Sequence, residues 1–254
     1  MWVKVELGGG VERILGLLET IGLEGGRVVI GSGSQKQPVR EARSLTATAE
    51  KRVLVWIAER LPRWVSSDHL TALGFVGYLA GALCYRLSAI DSIFLHGVNA
   101  CLLVNWFGDS LDGTLARVRR CERPRYGFYV DHLLDAVGIA VLCGGLAFSG
   151  LVSPGIAATL LVAYLLFSAH IALAAATGGV FRIAYGGLGG TELRILLAIA
   201  NLVALQWPRL DVLGTSLRLF DLLGFAGAAA LGVMLAVVGF RTGRALDRAD
   251  RSPA

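Results

Sequence analysis

The most constraining feature of this sequence is a series of apolar windows, each long enough to cross a lipid bilayer. The chain has 254 residues, 55% of them hydrophobic. A helix needs about 20 residues to cross roughly 30 Å of hydrocarbon. We therefore predict an all-α, polytopic membrane protein with six transmembrane helices. The six windows lie near residues 70–86, 92–113, 129–152, 155–176, 192–208 and 219–240.

The distribution of cations predicts which helix ends face the cytoplasm. Ten of the 24 Lys and Arg residues precede the first window, five lie in 117–125 and four follow Phe240. Because short cytoplasmic loops retain Lys and Arg, we expect both termini and the 117–125 link on the cytoplasmic side. This bias beside anionic lipid also accounts for the formal charge of +5, so no nucleic-acid partner is predicted.

The chain before the first window divides into two segments. The earlier one is interrupted repeatedly by glycine and has no predicted role. After Thr48, apolar Val53 and Trp56 share a helical face opposite charged Glu59 and Arg60, which predicts an amphipathic helix on the inner leaflet. The predicted divisions are an N-terminal cytoplasmic segment, a juxtamembrane helix, a six-helix membrane domain and a cytoplasmic tail, at 1–47, 48–64, 65–241 and 242–254.

Four aspartates occur at helical spacing within the second and third windows. Asp109 and Asp112 lie three residues apart, and Asp131 and Asp135 lie four apart. Residues at these spacings project from one helix face, so a helical hairpin would let all four carboxylates converge. A charged side chain at mid-bilayer costs roughly 2.5–3.5 kcal/mol. The cluster therefore predicts a water-reachable cavity near the cytoplasmic end, with cations to neutralise the carboxylates.

The residues around these carboxylates favour phosphate chemistry on hard cations. All-oxygen ligands suit Mg²⁺ or Mn²⁺ rather than zinc, and two such ions would clamp a diphosphate and stabilise the leaving oxygen. Gly113 and Ala116 lack bulk, so phosphates could approach the backbone there, although without the aspartates small-residue helix packing would be the better explanation. Arg117 can fork onto a phosphate. His132 faces about 100° away from Asp131, which favours a hydrogen bond within the core.

These residues together form a known pattern: Asp-x-x-Asp-Gly-x-x-Ala-Arg, a spacer, then Gly-x-x-x-Asp-x-x-x-Asp. With this pattern the chain resembles the CDP-alcohol phosphotransferase family. The eight matching positions are Asp109, Asp112, Gly113, Ala116, Arg117, Gly127, Asp131 and Asp135. Eight fixed positions over 27 residues make the motif highly specific. The likeness in helix number extends the resemblance to roughly 50–240.

One further stretch is similar to the family but departs from it. Residues 67–71 resemble a Pro-Asn-x-x-Thr motif at the beginning of the first span, with Ser67 in place of Pro and Asp68 in place of Asn. The departure weakens a nucleotide-contact role for Asp68. The role of the N-terminal segment is not explained by the resemblance.

The spacer between Arg117 and Gly127 has nine residues, one more than in many family members. We expect the extra residue to alter only the cytoplasmic turn. The spacer is also strongly basic, and we interpret its cations as a solvated loop against anionic lipid rather than a recognition site. These cations are Arg119, Arg120, Arg123 and Arg125.

The resemblance implies an integral membrane enzyme of phospholipid biosynthesis that transfers a phospho-alcohol group to an alcohol acceptor and releases CMP. It implies two Mg²⁺ or Mn²⁺ ions per active site and a homodimer. The compact form of the chain suggests a prokaryotic cytoplasmic membrane. Asp135 would be the general base. The metal ligands would be Asp109, Asp112, Asp131 and Asp135. The nucleotide would be held by Gly113, Ala116, Arg117 and Gly127.

The substrates stay open between two branches of the family. CDP-diacylglycerol with a polar alcohol is favoured, whereas the Asp131-His132 pair is similar to the branch that transfers choline or ethanolamine phosphate to diacylglycerol. A phosphorylated acceptor would need additional polar contacts, although Arg194 could equally pair with Glu192 or anchor its helix. The candidates for such contacts are Arg194, Arg182 and Thr71.

Two other classes of protein account for intramembrane carboxylates less well. A cation transporter would not need the Gly-x-x-Ala-Arg face, and its acids would be spread across the bilayer rather than gathered at one end. A catalytically silent family member could serve as a membrane scaffold. The intact set of four aspartates argues against that role.

Overall fold

Helices make up most of the chain in the computed structural model, which describes residues 39–41, 47–178, 180–182, 190–212 and 215–251. The N-terminal segment predicted at 1–47 lies almost entirely outside these ranges. The described helices are α1 (Ala47–Arg60), α2 (Ser67–Leu87), α3 (Phe94–Val118), α4 (Pro124–Ala147), α5 (Pro154–Gly178), α6 (Gly190–Gln206) and α7 (Leu219–Arg251). The described strands are β1 (Val39–Glu41), β2 (Val180–Arg182), β3 (Arg209–Val212) and β4 (Thr215–Arg218).

Four of these helices, α2, α4, α5 and α7, are long and apolar enough to cross a membrane. This composition is compatible with an integral membrane protein. Each of the six apolar windows overlaps a helix, but α3 is not apolar enough and α6 is not long enough to be counted with these four. The apolar run of α3 is interrupted by His96, Asn99, Asn105 and Asp109, and α6 has only 17 residues.

Two small sheets distinguish the structure from the all-α fold expected from the sequence. Strand β1 pairs in parallel with β2, with Val39 opposite Val180. Strands β3 and β4 form an antiparallel pair, with Arg209 opposite Arg218. Strands of three or four residues are too short to show the alternation that identifies a strand in a sequence.

The last helix also continues to Arg251, beyond the predicted span.

Helices α2 and α3 cross with their backbones in contact. A Cβ atom added to Gly77 would lie only 2.8 Å from the backbone nitrogen of Asn105. A Cβ on Gly108 would overlap the backbone of Gly74 and Leu70. Because only glycine allows this approach, the crossing point is set by these residues. The contact holds the polar face of α2 against the acidic part of α3.

Helix α4 packs against the other side of α2, and glycines allow the close contact here too. A Cβ on Gly138 would overlap the ring of Tyr78, and one on Gly145 would overlap the backbone of Ala82. Helix α6 packs on α3, while α5 packs mainly on α7. The main apolar core includes Tyr85, Leu95, Val98, Leu102, Leu142, Ala200 and Phe220. The aspartate-bearing helices are therefore held around α2.

Local signals determine where the helices near the aspartates begin. The Ser66 hydroxyl accepts a hydrogen bond from the His69 N–H, and the His69 ring accepts one from the Ser66 N–H, which forms a capping box at the start of α2. Pro124 occupies the first turn of α4, where its missing N–H is not needed. Arg120 has a φ of 54°, so the link turns sharply between α3 and α4.

Candidate functional site

The four predicted aspartates line one small cavity of about 20 Å³. Asp109 and Asp112 come from α3, Asp131 and Asp135 come from α4, and Thr71 contributes to the wall from α2. A cavity of roughly 10–15 Å³ is enough for one water-sized sphere. The structure therefore gathers the carboxylates of two helices around a space large enough for one small ion.

Asp112 is held by the N-terminal end of α2. Its side chain is buried, with a relative exposure of 6%. The Thr71 hydroxyl donates to Oδ2 of Asp112 at 2.6 Å, and the Ser67 hydroxyl donates to the Asp112 carbonyl oxygen at 3.0 Å. The N–H of Gly113 donates to Oδ1. Thr71, which we predicted as a substrate contact, is thus a partner of an aspartate in this structure.

Asp109 is paired with Arg194 across the α3–α6 interface. Nη2 of Arg194 lies 2.6 Å from Oδ2 of Asp109, and Nε donates to Oδ1 of Asn105 at 2.7 Å. The amide nitrogen of Asn105 in turn donates to the carbonyl oxygen of Gly74 at 2.9 Å. The Arg194 side chain is 14% exposed. This network joins α2, α3 and α6 at the edge of the small cavity.

The acidic residues of α4 have different surroundings. The Tyr78 hydroxyl donates to Oδ1 of Asp135 at 3.3 Å. His132, next to Asp131 in sequence, has its Nδ1 3.1 Å from the carbonyl oxygen of Phe128 and its ring against that phenyl ring. This contact lies within α4, at a half-buried position.

A second cavity, of about 1960 Å³, shares the four aspartates with the small one. Gly113, Arg117 and His132 also line its polar end. Its remaining wall is mainly apolar and comes chiefly from α4, α5, α6 and α7, with further residues from α1, α2 and α3. Representative wall residues are Leu142, Phe167, Leu197 and Leu231. A polar end with four carboxylates therefore continues into a wide apolar space.

The carboxylates fit hard divalent cations by donor chemistry and by their common cavity. Among the described residues, however, no three carboxylate, imidazole or thiolate groups stand together closely enough to hold one ion. The reason is visible in their partners: Asp109 is turned toward Arg194, and Asp112 is turned toward Thr71. Metal binding would bring these carboxylates closer together, and at Asp109 an ion would compete with the Arg194 guanidinium.

The predicted nucleotide and acceptor residues are only partly brought together. Gly113 and Arg117 line the larger cavity, whereas Ala116 and Gly127 lie outside the described lining of both cavities. A Cβ on Gly127 would have no heavy atom within 4 Å. Arg182 lies in β2, and its side chain is outside the described part of the structure.

Sequence reasoning missed three residues that contact this site. Asn105 lies four residues before Asp109, on the same face of α3, as a polar residue within an apolar run. Ser67 and Tyr78 lie on the same face of α2 as Thr71, four residues before it and seven after it. A search for polar side chains at helical spacing could have found them. Their partners across the helices could not be found in this way.

Comparison with models of known protein families and with curated proteins finds no match for this chain.

Proposed function

We propose that this protein is a six-span membrane enzyme of the CDP-alcohol phosphotransferase type. It would form a phosphodiester from a CDP-activated alcohol and an alcohol acceptor, with release of CMP. One observation carries the proposal: the four aspartates of the motif line one small cavity and also the polar end of a large apolar cavity. Such a site suits a substrate pair with a charged diphosphate and a lipid chain.

Helices α3 and α6 would complete the six spans. Their polar side chains have partners within the bundle, which lowers the cost of placing them in the hydrocarbon. Asn99 accepts from Asn201 at 2.7 Å, and Asn105 accepts from Arg194 at 2.7 Å. We place the aspartate end in the cytoplasm on the positive-inside argument. Helix α1 would then lie at the inner leaflet, since Trp56 is 57% exposed.

Asp109, Asp112, Asp131 and Asp135 would hold the divalent cations. Bound Mg²⁺ or Mn²⁺ would neutralise these carboxylates and polarise the diphosphate. Asp109 would leave Arg194. The Arg194 guanidinium would remain bonded to Asn105 and could donate hydrogen bonds to a phosphate in place of the carboxylate. Asp112 could bind an ion and still accept from the Thr71 hydroxyl, because a carboxylate has several acceptor positions.

Asp135 is the proposed general base. It would take the proton of the acceptor hydroxyl as that oxygen bonds to phosphorus and the bond from phosphorus to the CMP oxygen breaks. The Tyr78 hydroxyl, which donates to Oδ1, would orient this carboxylate. General base catalysis by a positioned side chain contributes about 10²–10⁴-fold. The remaining acceleration would come from charge stabilisation around the diphosphate.

A lipid bound in the large cavity could belong to either substrate. CDP-diacylglycerol with a water-soluble alcohol is our favoured pair, which would place the protein in phospholipid biosynthesis. CDP-choline or CDP-ethanolamine with diacylglycerol is the alternative, because His132 also lines this cavity. We propose a homodimer in a prokaryotic cytoplasmic membrane as the working form.

The direct test is CMP release by the purified protein in detergent with Mg²⁺ or Mn²⁺. CDP-diacylglycerol is offered with a panel of polar alcohols, and CDP-choline or CDP-ethanolamine is offered with diacylglycerol. Metal-dependent release with one pair, lost in Asp135→Asn and kept in the matched control Asp247→Asn, supports the proposal and names the substrates. If no pair gives release although the protein binds metal and CDP, the enzyme proposal fails and a silent scaffold is favoured.

A further inference from the structure

The guanidinium of Arg119 binds the turn that follows α1. Nη1 donates to the carbonyl oxygen of Val65 at 2.5 Å, and Nη2 donates to those of Pro62 at 2.9 Å and Leu61 at 3.1 Å. The carbonyl oxygen of Arg63 lies 3.5 Å from Nη1, at the limit of a hydrogen bond. The prediction of a solvated basic loop is therefore wrong for Arg119.

This contact is well matched chemically. The carbonyl oxygens of the turn after α1 are strong hydrogen-bond acceptors, and a hydrogen bond to them from a cationic guanidinium is charge-assisted. The planar guanidinium fork supplies several N–H donors in fixed directions, which a lysine cannot do. The positive φ of Arg120 turns the chain immediately after this residue. Arg119 thus connects the end of α3 to the end of α1.

A second contact from the same link is weaker. Arg123 forms an ion pair with Asp68 at the start of α2. Both side chains are about half exposed, at 51% and 53%. Water screens such a pair, and exposed ion pairs contribute little to stability. Arg119, which is half-buried and binds backbone carbonyls, is the principal connection between the link and the α1–α2 turn.

Helix α1 in turn forms part of the larger cavity. Its buried residues Leu54 and Ala58 belong to one apolar cluster with Leu111 and Leu115 of α3. These two leucines flank Asp112 and the residues that follow it along α3. Lys51, Arg52 and Glu59 of α1 line the cavity that the four aspartates share. The position of α1 therefore shapes the polar end of this cavity.

We propose that Arg119 is a positioning residue that fixes α1 as a wall of the large cavity. It acts through the turn between α1 and α2 and contacts none of the four aspartates in the described structure. The position of α1 would then set how well the cavity binds an anionic ligand, with little effect on the chemical step. The structural part of this inference goes beyond the proposed function, and only its kinetic consequence rests on that function.

Hydrogen exchange measured by mass spectrometry tests the structural part without any turnover. In Arg119→Gln, amide exchange in residues 47–65 should become about tenfold faster, because several hydrogen bonds to a charged group are lost. Exchange in α7 should stay unchanged. The matched control Arg120→Gln removes the same charge from the same link and should behave as wild type. Unchanged exchange in 47–65, or an equal rise in α7, would overturn the inference.

Kinetics with the active substrate pair test the consequence. Arg119→Gln should raise the KM for the CDP substrate several-fold with kcat little changed, and Arg119→Lys should recover part of the loss. Arg120→Gln should keep the wild-type KM. An equal rise in KM in Arg120→Gln would show that the charge of the link matters rather than this contact, and would overturn the inference. A failure of the proposed function would leave no turnover in wild type, while the exchange result would still stand.

Discussion

Helix α2, around which the aspartate-bearing helices pack, differs in its packing from α5 and α7, which complete the apolar wall. In α2, 39% of the apolar window is buried inside the protein, whereas the share is 17% in α4 and 11% in both α5 and α7. Backbones touch where α2 crosses α3, but α5 and α7 leave a wide cavity beside them. The part of the bundle around α2 and α3, the tight half, is closely packed and polar at its centre. The part formed by α5 and α7, the open half, is apolar and open.

The difference follows from what each half has to hold. Carboxylates act on a small ion or a phosphate only if their geometry is kept within a fraction of an ångström, so their helices need rigid contacts. A lipid chain has many conformations and is bound by apolar area rather than by directed bonds. We therefore expect substitutions in the tight half to affect fold and catalysis, and substitutions in the open half to affect lipid binding.

The largest effect is expected at Asp112, which is buried at the centre of the tight half. Asp112→Asn removes a charge that the proposed metal site needs, so CMP release should fall to the uncatalysed background. Asp247→Asn is the matched control, because Asp247 forms an exposed pair with Arg251 on α7. CMP release over a range of Mn²⁺ concentrations measures both. Wild-type-like turnover in Asp112→Asn would remove this residue from the site.

The next largest effect concerns the crossing of α2 and α3. Gly108→Ala places a Cβ against the backbone of Gly74 and Leu70, and such overpacking costs about 1–3 kcal/mol or more. Gly232→Ala is the control, since its Cβ meets no heavy atom within 4 Å. Thermal unfolding in detergent should show a lower midpoint for Gly108→Ala alone. Equal midpoints would contradict the tight crossing.

A smaller effect is expected from a hydrogen bond near the C-terminal end of α2, away from the aspartates. The buried Tyr85 hydroxyl donates to Oδ1 of Asn201 at 2.9 Å, and Tyr85→Phe should cost about 1 kcal/mol. Tyr129→Phe is the control, because Tyr129 is 66% exposed on α4. Unfolding midpoints again provide the measurement. A larger loss in Tyr129→Phe would contradict this ranking of the two sites.

The smallest effect on the fold is expected in the open half. Ala230 lies on α7 and lines the large cavity, so Ala230→Phe should fill part of it and raise the KM for the lipid substrate a few-fold. The unfolding midpoint should hardly change. Val233→Phe, on the exposed surface of the same helix, should leave KM unchanged. A drop in unfolding midpoint without any change in KM would reverse the comparison.

Features encoded locally could be read from the sequence. The helices that contain Asp109 and Asp131 were expected because apolar runs of this length identify them, and the spacing of the aspartates placed each pair on one face. The structure does bring all four to one cavity.

Features that depend on how distant helices pack could not be read in this way. The bond between Arg194 and Asp109 requires α6 to lie against α3, and nothing in either segment specifies its partner. The same holds for Arg119, whose partners are backbone carbonyls more than fifty residues away. Gly108 was visible as a small residue, but its contact with Gly74 depends on the crossing of two helices.

The most direct test of the central claim is a titration of Mn²⁺ onto the purified protein, followed by electron paramagnetic resonance. The account predicts saturable binding of about two Mn²⁺ per chain, close enough to couple magnetically, because a two-metal site holds its ions roughly 3.5–4 Å apart. Asp131→Asn should lose at least one ion, and Asp247→Asn should lose none. No saturable binding in wild type, or the same stoichiometry in Asp131→Asn, would contradict the claim that these aspartates form one metal site.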